Sequence, residues 1–404
     1  MIIIYLHQYF NTNDMPGSTR SYELSKNLVE NGHTVYLITS KRDYHQSNKN
    51  GWTKENGINV YWAPVSYSNN MSFLRRIFSF LSFSIKSLKV ALSIDADLIY
   101  ATSTPLTIAI PAIIYSKLKS KPMVFEVRDL WPELPIAVGA LKSFPAKFLA
   151  SYLEKLTYKN SKKIIALSNG MKKGIINKGY PANQISVITN LSNTRIYEEI
   201  DKSKNFGVAI HNYIPKTLDK LVIYTGALGH VNDVKYLIKV AAELKNINNE
   251  IKFIIAGEGV ERQNIYSIAK ELDVLNSSVF IIDPLEKSKI PLLYSKASIV
   301  SSLFINLKEL WNNSANKFFD GLAAGKPVMI NYSGWQRSLL EEHDAGFYVP
   351  FDDHLKGAKI LNKIVNNNEL SKNMGDAAKK LANQHFAIDV QYPKFEKILK
   401  SVIE

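Results

Sequence analysis

Short apolar runs rich in β-branched and aromatic residues alternate with helical segments from one end of the chain to the other. In the first half they fall at 2–6, 33–39, 58–62, 98–101, 122–126, 163–167 and 186–188. In the second half they fall at 221–225, 251–256, 278–282, 297–301, 327–330 and 346–349. Several, such as Ile251-Lys-Phe-Ile-Ile-Ala256, are apolar at nearly every position, the pattern of a strand covered on both faces. Helices between such strands imply right-handed crossovers and parallel sheets. The polar stretch 201–219 has no periodicity and reads as a linker. The pattern therefore predicts an α/β chain of two doubly wound, Rossmann-like domains, 1–200 and 220–385, with a last helix over 386–404 packing back on the first domain. Ligands of such sheets bind at the carboxyl ends of the strands, which here line the cleft between the domains.

One helical segment stands apart. Over Met71–Leu92, Phe73, Ile77, Leu81, Ile85, Leu88 and Leu92 form one stripe, and Arg75, Lys86 and Lys89 project almost opposite. With Arg76, these make four internal charges, too many for a membrane span. The stripe fits an interfacial helix or one packed on its own sheet. No acidic residue occurs between Glu55 and Asp95, so the cations Arg75, Arg76, Lys86 and Lys89 also suit an anionic leaflet.

Charge sharpens that picture. Residues 1–200 hold 24 Lys and Arg against 13 Asp and Glu, whereas 201–404 hold 26 against 23. The first half thus points to an anionic partner: phospholipid, nucleic acid or a phosphorylated acceptor. The chain has no cysteine, which excludes a disulfide framework and a thiolate metal site and suits a reducing cytosol. Met1-Ile-Ile-Ile-Tyr-Leu6 has no basic leader and reads as a first core strand. No G-x-G-x-x-G follows that strand, Gly257-Glu-Gly259 is only a fragment of one, and no Walker A sequence occurs.

Four segments carry candidate chemistry. After the first strand, Pro16-Gly17 makes a turn and Ser18 is placed to cap a helix whose first turn holds Arg20. A cation there opposes the helix dipole, so Arg20 either serves an anion or is solvated. In Val124-Phe-Glu-Val-Arg-Asp-Leu-Trp-Pro-Glu133, Arg128, Asp129 and Glu133 follow a strand end and should project into the cleft. Gly226 and Gly229, in Tyr224-Thr-Gly-Ala-Leu-Gly-His-Val-Asn-Asp233, let backbone approach a phosphate. Finally, Asn312-Asn-Ser-Ala-Asn-Lys-Phe-Phe-Asp-Gly-Leu-Ala-Ala-Gly-Lys-Pro-Val328 reads as a loop, a helix opened by Ser314, and a strand. A helix mouth can hold a diphosphate without metal, with Ser314, Asn316 and Lys317 in its first turn and Asp320 deeper, facing ribose hydroxyls. The same stretch also fits a plain packed helix with Gly325 as its C-cap.

The layout D-G-L-A-A-G-K-P-V resembles the donor-binding end of family 4 retaining glycosyltransferases, which have the two-domain GT-B fold. R-D-L-W-P-E resembles a branch of that family that builds O-antigens, capsules and colanic acid and includes fucosaminyltransferases. The resemblance implies that the loop with Gly17 and Arg20 approaches the donor diphosphate, and that Asp129 or Glu126, beside Arg128, orients sugar or acceptor. Two departures are visible. Ala227 and Asn232 stand where the family usually has its diphosphate-binding Arg and Lys, leaving Lys317 and Arg262 as candidate replacements. Of the family's paired carboxylates, eight residues apart, Asp320 keeps the second, while Asn312 occupies the first and Glu309 is placed to supply the missing acid.

The resulting expectation is a metal-independent, retaining transferase with no cofactor beyond its nucleotide-sugar substrate. It would move a sugar, first of all N-acetyl-L-fucosamine from UDP, to a polyprenyl-diphosphate-linked acceptor. It would work in the cytoplasm, on the anionic inner face of a bacterial plasma membrane. A nucleotide-sugar epimerase such as a UDP-N-acetylhexosamine 2-epimerase is the alternative on the same fold. A nucleic-acid binder is disfavoured because the basic residues are not interleaved with aromatics in any known module.

Overall fold

A computed structural model describes the chain apart from residues 42–49, 67–70, 72 and 203–218. The proposed linker 201–219 lies almost wholly outside the described residues.

The first sheet has eight strands: β1 (Ile2–Leu6), β2 (Thr34–Ser40), β3 (Gly51–Glu55), β4 (Ile58–Ala63), β5 (Leu98–Thr102), β6 (Met123–Val127), β7 (Lys163–Ala166) and β8 (Ile185–Val187). Their order is β3-β4-β2-β1-β5-β6-β7-β8, parallel except for β3, which pairs antiparallel with β4 at one edge. The second sheet contains β9 (Leu221–Thr225), β10 (Lys252–Ala256), β11 (Val279–Ile282), β12 (Ile299–Ser302), β13 (Val328–Ile330) and β14 (Gly346–Tyr348), in the parallel order β11-β10-β9-β12-β13-β14. Reversal of strand direction of growth beside β1 and beside β9 marks the two switch points, where crevices open for ligands.

Each sheet is sandwiched between two apolar clusters. In the first domain one layer joins Ile4, Leu6, Ile99 and Phe125 to Phe83, Ala112, Tyr158 and Ile175, so four helices cover one face. The other joins Ile3, Tyr5, Leu98 and Tyr100 to Leu24 and Leu28, and also to Ile388, Tyr392, Phe395 and Leu399 of the C-terminal helix Ile388–Lys400. Phe395 meets Tyr100 edge-on at 5.2 Å. The chain's last helix thus crosses back to complete the core of the first domain.

The helix Phe73–Leu92 is turned differently from what its stripe alone suggests. Its buried side is Ser79, Phe83, Ser84, Ser87 and Ala91, whereas Ile77, Leu81 and Ile85 of the stripe are exposed along with Phe78. Leu88 and Leu92 are half-buried against the core, and the side chain of Phe73 lies outside the described residues. Small side chains let the helix sit close to its neighbours, and Ser84 Oγ bonds the Thr107 carbonyl at 3.1 Å. Among the described residues, no helix is long and apolar enough to cross a membrane.

Candidate active site

The helix Asn316–Ala323 sits at the centre of the cleft. It begins two residues later than Ser314, and no side chain caps it. Ser314 is engaged across the cleft instead: its Oγ accepts from the Asn190 N–H at 3.0 Å, and its carbonyl from Asn190 Nδ2 at 2.6 Å. Ser18 departs from its expected place in the same way. The helix Arg20–Glu30 has Thr19 at its N-cap, and Ser18 Oγ accepts from Arg128 Nη2 at 3.3 Å. In both cases a tertiary partner competes successfully with the local cap.

Two faces of the central helix carry different chemistry. On one, Lys317 is buried with its Nζ 2.7 Å from the Tyr224 hydroxyl, to which it donates, and 4.2 Å above that ring. The Phe304 ring lies 5.5 Å away. Tyr224 in turn donates its hydroxyl hydrogen bond to the Ala227 carbonyl at 2.8 Å, so Lys317, Tyr224 and the glycine turn form one unit. Among the described residues no carboxylate neutralises Lys317, and burial pushes its ammonium down to about 7. Gly226 is in the left-handed region at φ 135°, and a Cβ there would stand 3.4 Å from Lys317 Cε. The glycine therefore keeps both the turn and the space beside the ammonium open.

On the other face, Asn316 and Asp320 line a small recess of about 30 Å³ shared with Asn13, Glu23 and Lys287. Asp320 accepts from Ser192 Oγ at 3.2 Å and is ion-paired with Lys287. Lys287 had no signal in the sequence. Its backbone N–H also donates to the Met15 carbonyl at 3.2 Å, and that of Ser288 to the Asn13 carbonyl at 3.0 Å, so this turn bridges the two domains.

The remaining candidates divide clearly. Arg20 does serve an anion, but an internal one. Its Nη2 is 2.7 Å from Glu126 Oε2, both side chains are fully buried, and it also donates to the Ile188 and Thr189 carbonyls. Glu126, held further by Thr102 Oγ1 at 2.7 Å, is likewise sealed from substrate. Arg262 has its guanidinium bound by Glu258 and Asp283 at 2.6 and 2.8 Å, which leaves its charge matched without a diphosphate. Glu133 is ion-paired with Lys178, which also reaches the buried Glu154 at 3.5 Å.

Arg128 is brought to the first-strand loop, its Nη1 3.1 Å from His7 Nε2. A guanidinium can only donate, so in this hydrogen bond Nε2 of His7 accepts. Next to it Asp129 is half-buried, and burial pushes its carboxyl up to about 6 against the pull of Arg128. Gly17, at φ 121°, packs against the Asn11 amide, which bonds the Ser18 carbonyl at 3.2 Å and fixes this loop.

Glu309 and Asn312 share the turn Lys308–Asn312 but not a direction. Glu309 is exposed at the rim. Asn312 docks on the first domain: Ser168 Oγ donates to its carbonyl at 2.8 Å, and its side chain lies where a Cβ on Gly170 would be. Gly229 opens the turn His230–Asn232 behind the glycine loop. Among the described residues no cluster of three or more His, Asp and Glu is arranged to hold a metal ion.

Comparison with known proteins agrees with this architecture. Residues 17–195 match Glycosyltransferase Family 4, and residues 210–381 match Glycosyl transferases group 1. The N-acetyl-alpha-D-glucosaminyl L-malate synthase of Bacillus anthracis is 19% identical over 94% of this chain and 92% of its own length. An uncharacterized glycosyltransferase of Haemophilus influenzae is 25% identical over 46% of this chain, and this match spans about half (51%) of that relative. A Campylobacter jejuni alpha-1,4-N-acetyl-D-galactosaminyltransferase, named for a diphosphoundecaprenol-linked substrate, is 27% identical over 40% of this chain and 43% of its own length.

Among solved structures, Anabaena HepE with UDP and glucose superposes with a TM-score of 0.71 at 18% identity, covering 99% of this chain and all of that one. WaaG, a glycosyltransferase of lipopolysaccharide biosynthesis, gives 0.70 at 15% identity over 98% of each chain. A Neisseria meningitidis UDP-GlcNAc 2-epimerase gives 0.61 at 13%, covering 99% of this chain and all of that one. The two family matches run across both domains, and they make this chain a glycosyltransferase of the family 4 type with the GT-B fold.

The Asn312 contact yields a direct test of domain closure. Gly170→Val should prop the domains apart and lower kcat/KM about 100-fold by misplacing donor and acceptor groups. Adding Asn312→Ala should recover most of that loss, because it removes the atoms the new side chain strikes. Steady-state kinetics of the single and double variants checks this, and a double variant no better than the single would show that closure does not run through this contact.

Proposed function

We propose that this enzyme is a retaining, metal-independent transferase that moves a sugar from a UDP donor to a polyprenyl-diphosphate-linked acceptor in O-antigen or capsule synthesis. N-acetyl-L-fucosamine is the first candidate sugar, supported by the R-D-L-W-P-E segment. The observation that carries the reading is Lys317. It is a buried ammonium without a carboxylate partner among the described residues, at an uncapped helix mouth beside the Gly226 turn. Such a cation awaits an anion, and a diphosphate bridging Lys317, the helix N–H groups and the glycine turn meets that need. UDP in the HepE structure and the undecaprenol-linked substrate in the Campylobacter relative's name favour this donor and acceptor class.

In this reading Asp320 releases Lys287 to take ribose hydroxyls and Glu309 borders the sugar, while Asn312 stays engaged at the domain contact with Ser168 and Gly170. Asp129 and Arg128 border the acceptor. The acceptor hydroxyl attacks the front face of the sugar as the departing diphosphate takes its proton, so the enzyme's task is positioning and charge stabilisation. The acceptor's lipid tail requires a site at the inner face of the membrane, where Arg75, Arg76, Lys86 and Lys89 would meet anionic headgroups.

Thermal stabilisation by UDP-, GDP-, dTDP- and ADP-sugars tests the donor site. A UDP-sugar should raise Tm by several degrees, EDTA should leave the shift in place, and Asp320→Ala should remove most of it. No shift with any nucleotide would sink the assignment. Product formation from a UDP-sugar without acceptor would favour the epimerase.

A further inference from the structure

Large apolar side chains are left in water on two helices that share one face of the first sheet. Both Phe83 of the helix Phe73–Leu92 and Tyr158 of the helix Phe144–Asn160 are anchored in the same core layer, so the opposite sides of these helices project away from the same sheet face. On the first helix the exposed stripe includes Phe78, 75% exposed. On the second, Phe144 is 80% exposed and Phe148 62%, with Leu149 and Tyr152 beside them at helical spacing. The sequence pattern of Phe144–Asn160 gave no warning of this, because its apolar residues run around the whole helix. Several large apolar side chains exposed together on each helix mark an interaction site rather than an ordinary monomer surface.

Position and charge say what covers it. Each helix follows a parallel strand, so each begins at the carboxyl, cleft-facing end of the sheet, and the exposed aromatics sit in its first half. The turn Leu106–Ile108 packs against both helices and ties them to one another from beneath, with Leu106 and Ile108 buried. The helices Phe73–Leu92, Ala109–Lys119 and Phe144–Asn160 together carry four, two and three Lys or Arg and a single acid, Glu154. That acid is buried and ion-paired with Lys178, so the outward surface of these three helices carries cations and no exposed acid. Aromatic anchors ringed by cations fit the headgroup boundary of an anionic bilayer.

We propose that Phe144, Phe148, Leu149 and Tyr152 insert into an anionic membrane surface together with the exposed stripe of Phe73–Leu92, forming one platform that sets the cleft mouth against the lipid. This deepens the lipid-linked acceptor reading and rests on it only for the reason why the platform stands beside the cleft.

Co-sedimentation of the full chain with phosphatidylcholine vesicles, with and without phosphatidylglycerol, is the test, run beside transfer assays on a short-chain prenyl diphosphate acceptor in solution. Binding should require the anionic lipid and fall at least 10-fold in Phe148→Ser/Leu149→Ser. Lys147→Gln should weaken it about 5-fold, the factor expected for one basic residue at such a surface. The two serine substitutions are at exposed positions, and an unchanged UDP-induced Tm shift confirms that the variant is folded. Wild-type binding that ignores the serine substitutions, or no binding to anionic vesicles, overturns the platform. So does a dimer in analytical ultracentrifugation that Phe148→Ser dissociates, because a second copy then covers the face. Vesicle binding of the expected kind without transfer to any prenyl diphosphate supports the platform and overturns the acceptor reading. Transfer in solution without vesicle binding does the reverse.

Discussion

Lys317→Met is expected to make the unliganded enzyme more stable and its UDP complex weaker. The two effects have one origin. The ammonium is held among Tyr224, Phe304 and the Gly226 turn with no carboxylate to offset its desolvation, so the folded state disfavours its charged form. Its folded pKa, about 7, lies below that of an unfolded lysine, so the cost to folding is full below pH 7 and shrinks as pH rises from there. Methionine fills similar volume without charge and should raise the Tm of the free protein by about 2–5 °C at pH 6–7, with less gain at pH 9. In the complex the same ammonium meets a diphosphate. A hydrogen bond to a charged group contributes about 1.5–3 kcal/mol, so the variant should bind UDP ~10- to 100-fold more weakly.

Proton counting gives an independent readout. At pH 8 Lys317 is mostly neutral in the free enzyme, and a bound diphosphate should recharge it. Titration calorimetry in buffers of different ionisation enthalpy should then show nearly one proton taken up per UDP, and almost none in the variant. A variant that loses stability, or binding without proton uptake, would remove Lys317 from the diphosphate site.

The place of Lys317 in the first turn of its helix was legible in the sequence because it follows from local rules: a basic residue just inside a helix that opens after a loop. The strands were legible for a similar reason, since a parallel strand covered on both faces must be apolar throughout, as in Phe253-Ile-Ile-Ala256. The edge strand Gly51–Glu55, with Lys54 and Glu55, lacks that constraint and left no such trace. What depends on distant partners was not legible. Ser18 and Ser314 have the chemistry of caps, but Arg128 and Asn190 claim them from over a hundred residues away. Lys287 has no distinguishing neighbours in the chain, and only the fold delivers it to Asp320. The orientation of the helix Phe73–Leu92 was equally hidden, because serines rather than the leucine stripe mark the side that packs.

Arg20 is where local reasoning and the fold diverge most, and it carries the largest stability prediction. Its guanidinium and the Glu126 carboxylate form a completely buried pair, tied to Thr102 and to the Ile188 and Thr189 carbonyls, so it links β6 and the first helix to the segment leading out of the domain. Burial alone would raise the Glu126 carboxyl, and Arg20, aided by Arg128 and Thr102, holds it below the usual range instead. Arg20→Met strands that carboxylate and should cost about 3–5 kcal/mol, or roughly 10 °C in Tm. The sign of the pH dependence follows. The native pair contributes stability above the ordinary carboxylate pKa and loses it as pH falls through the depressed folded value, whereas the stranded Glu126 protonates at higher pH. The gap between native protein and variant should therefore be widest near pH 7–8 and narrow towards pH 5. Arg20→Met/Glu126→Gln should recover at least half of the loss, since no buried charge is then left unpaired. At a temperature where the single variant is folded, its UDP affinity should stay within about threefold of native, because the guanidinium has no exposed surface with which to meet a diphosphate. A 100-fold loss of affinity with little loss of stability would instead return Arg20 to the donor site.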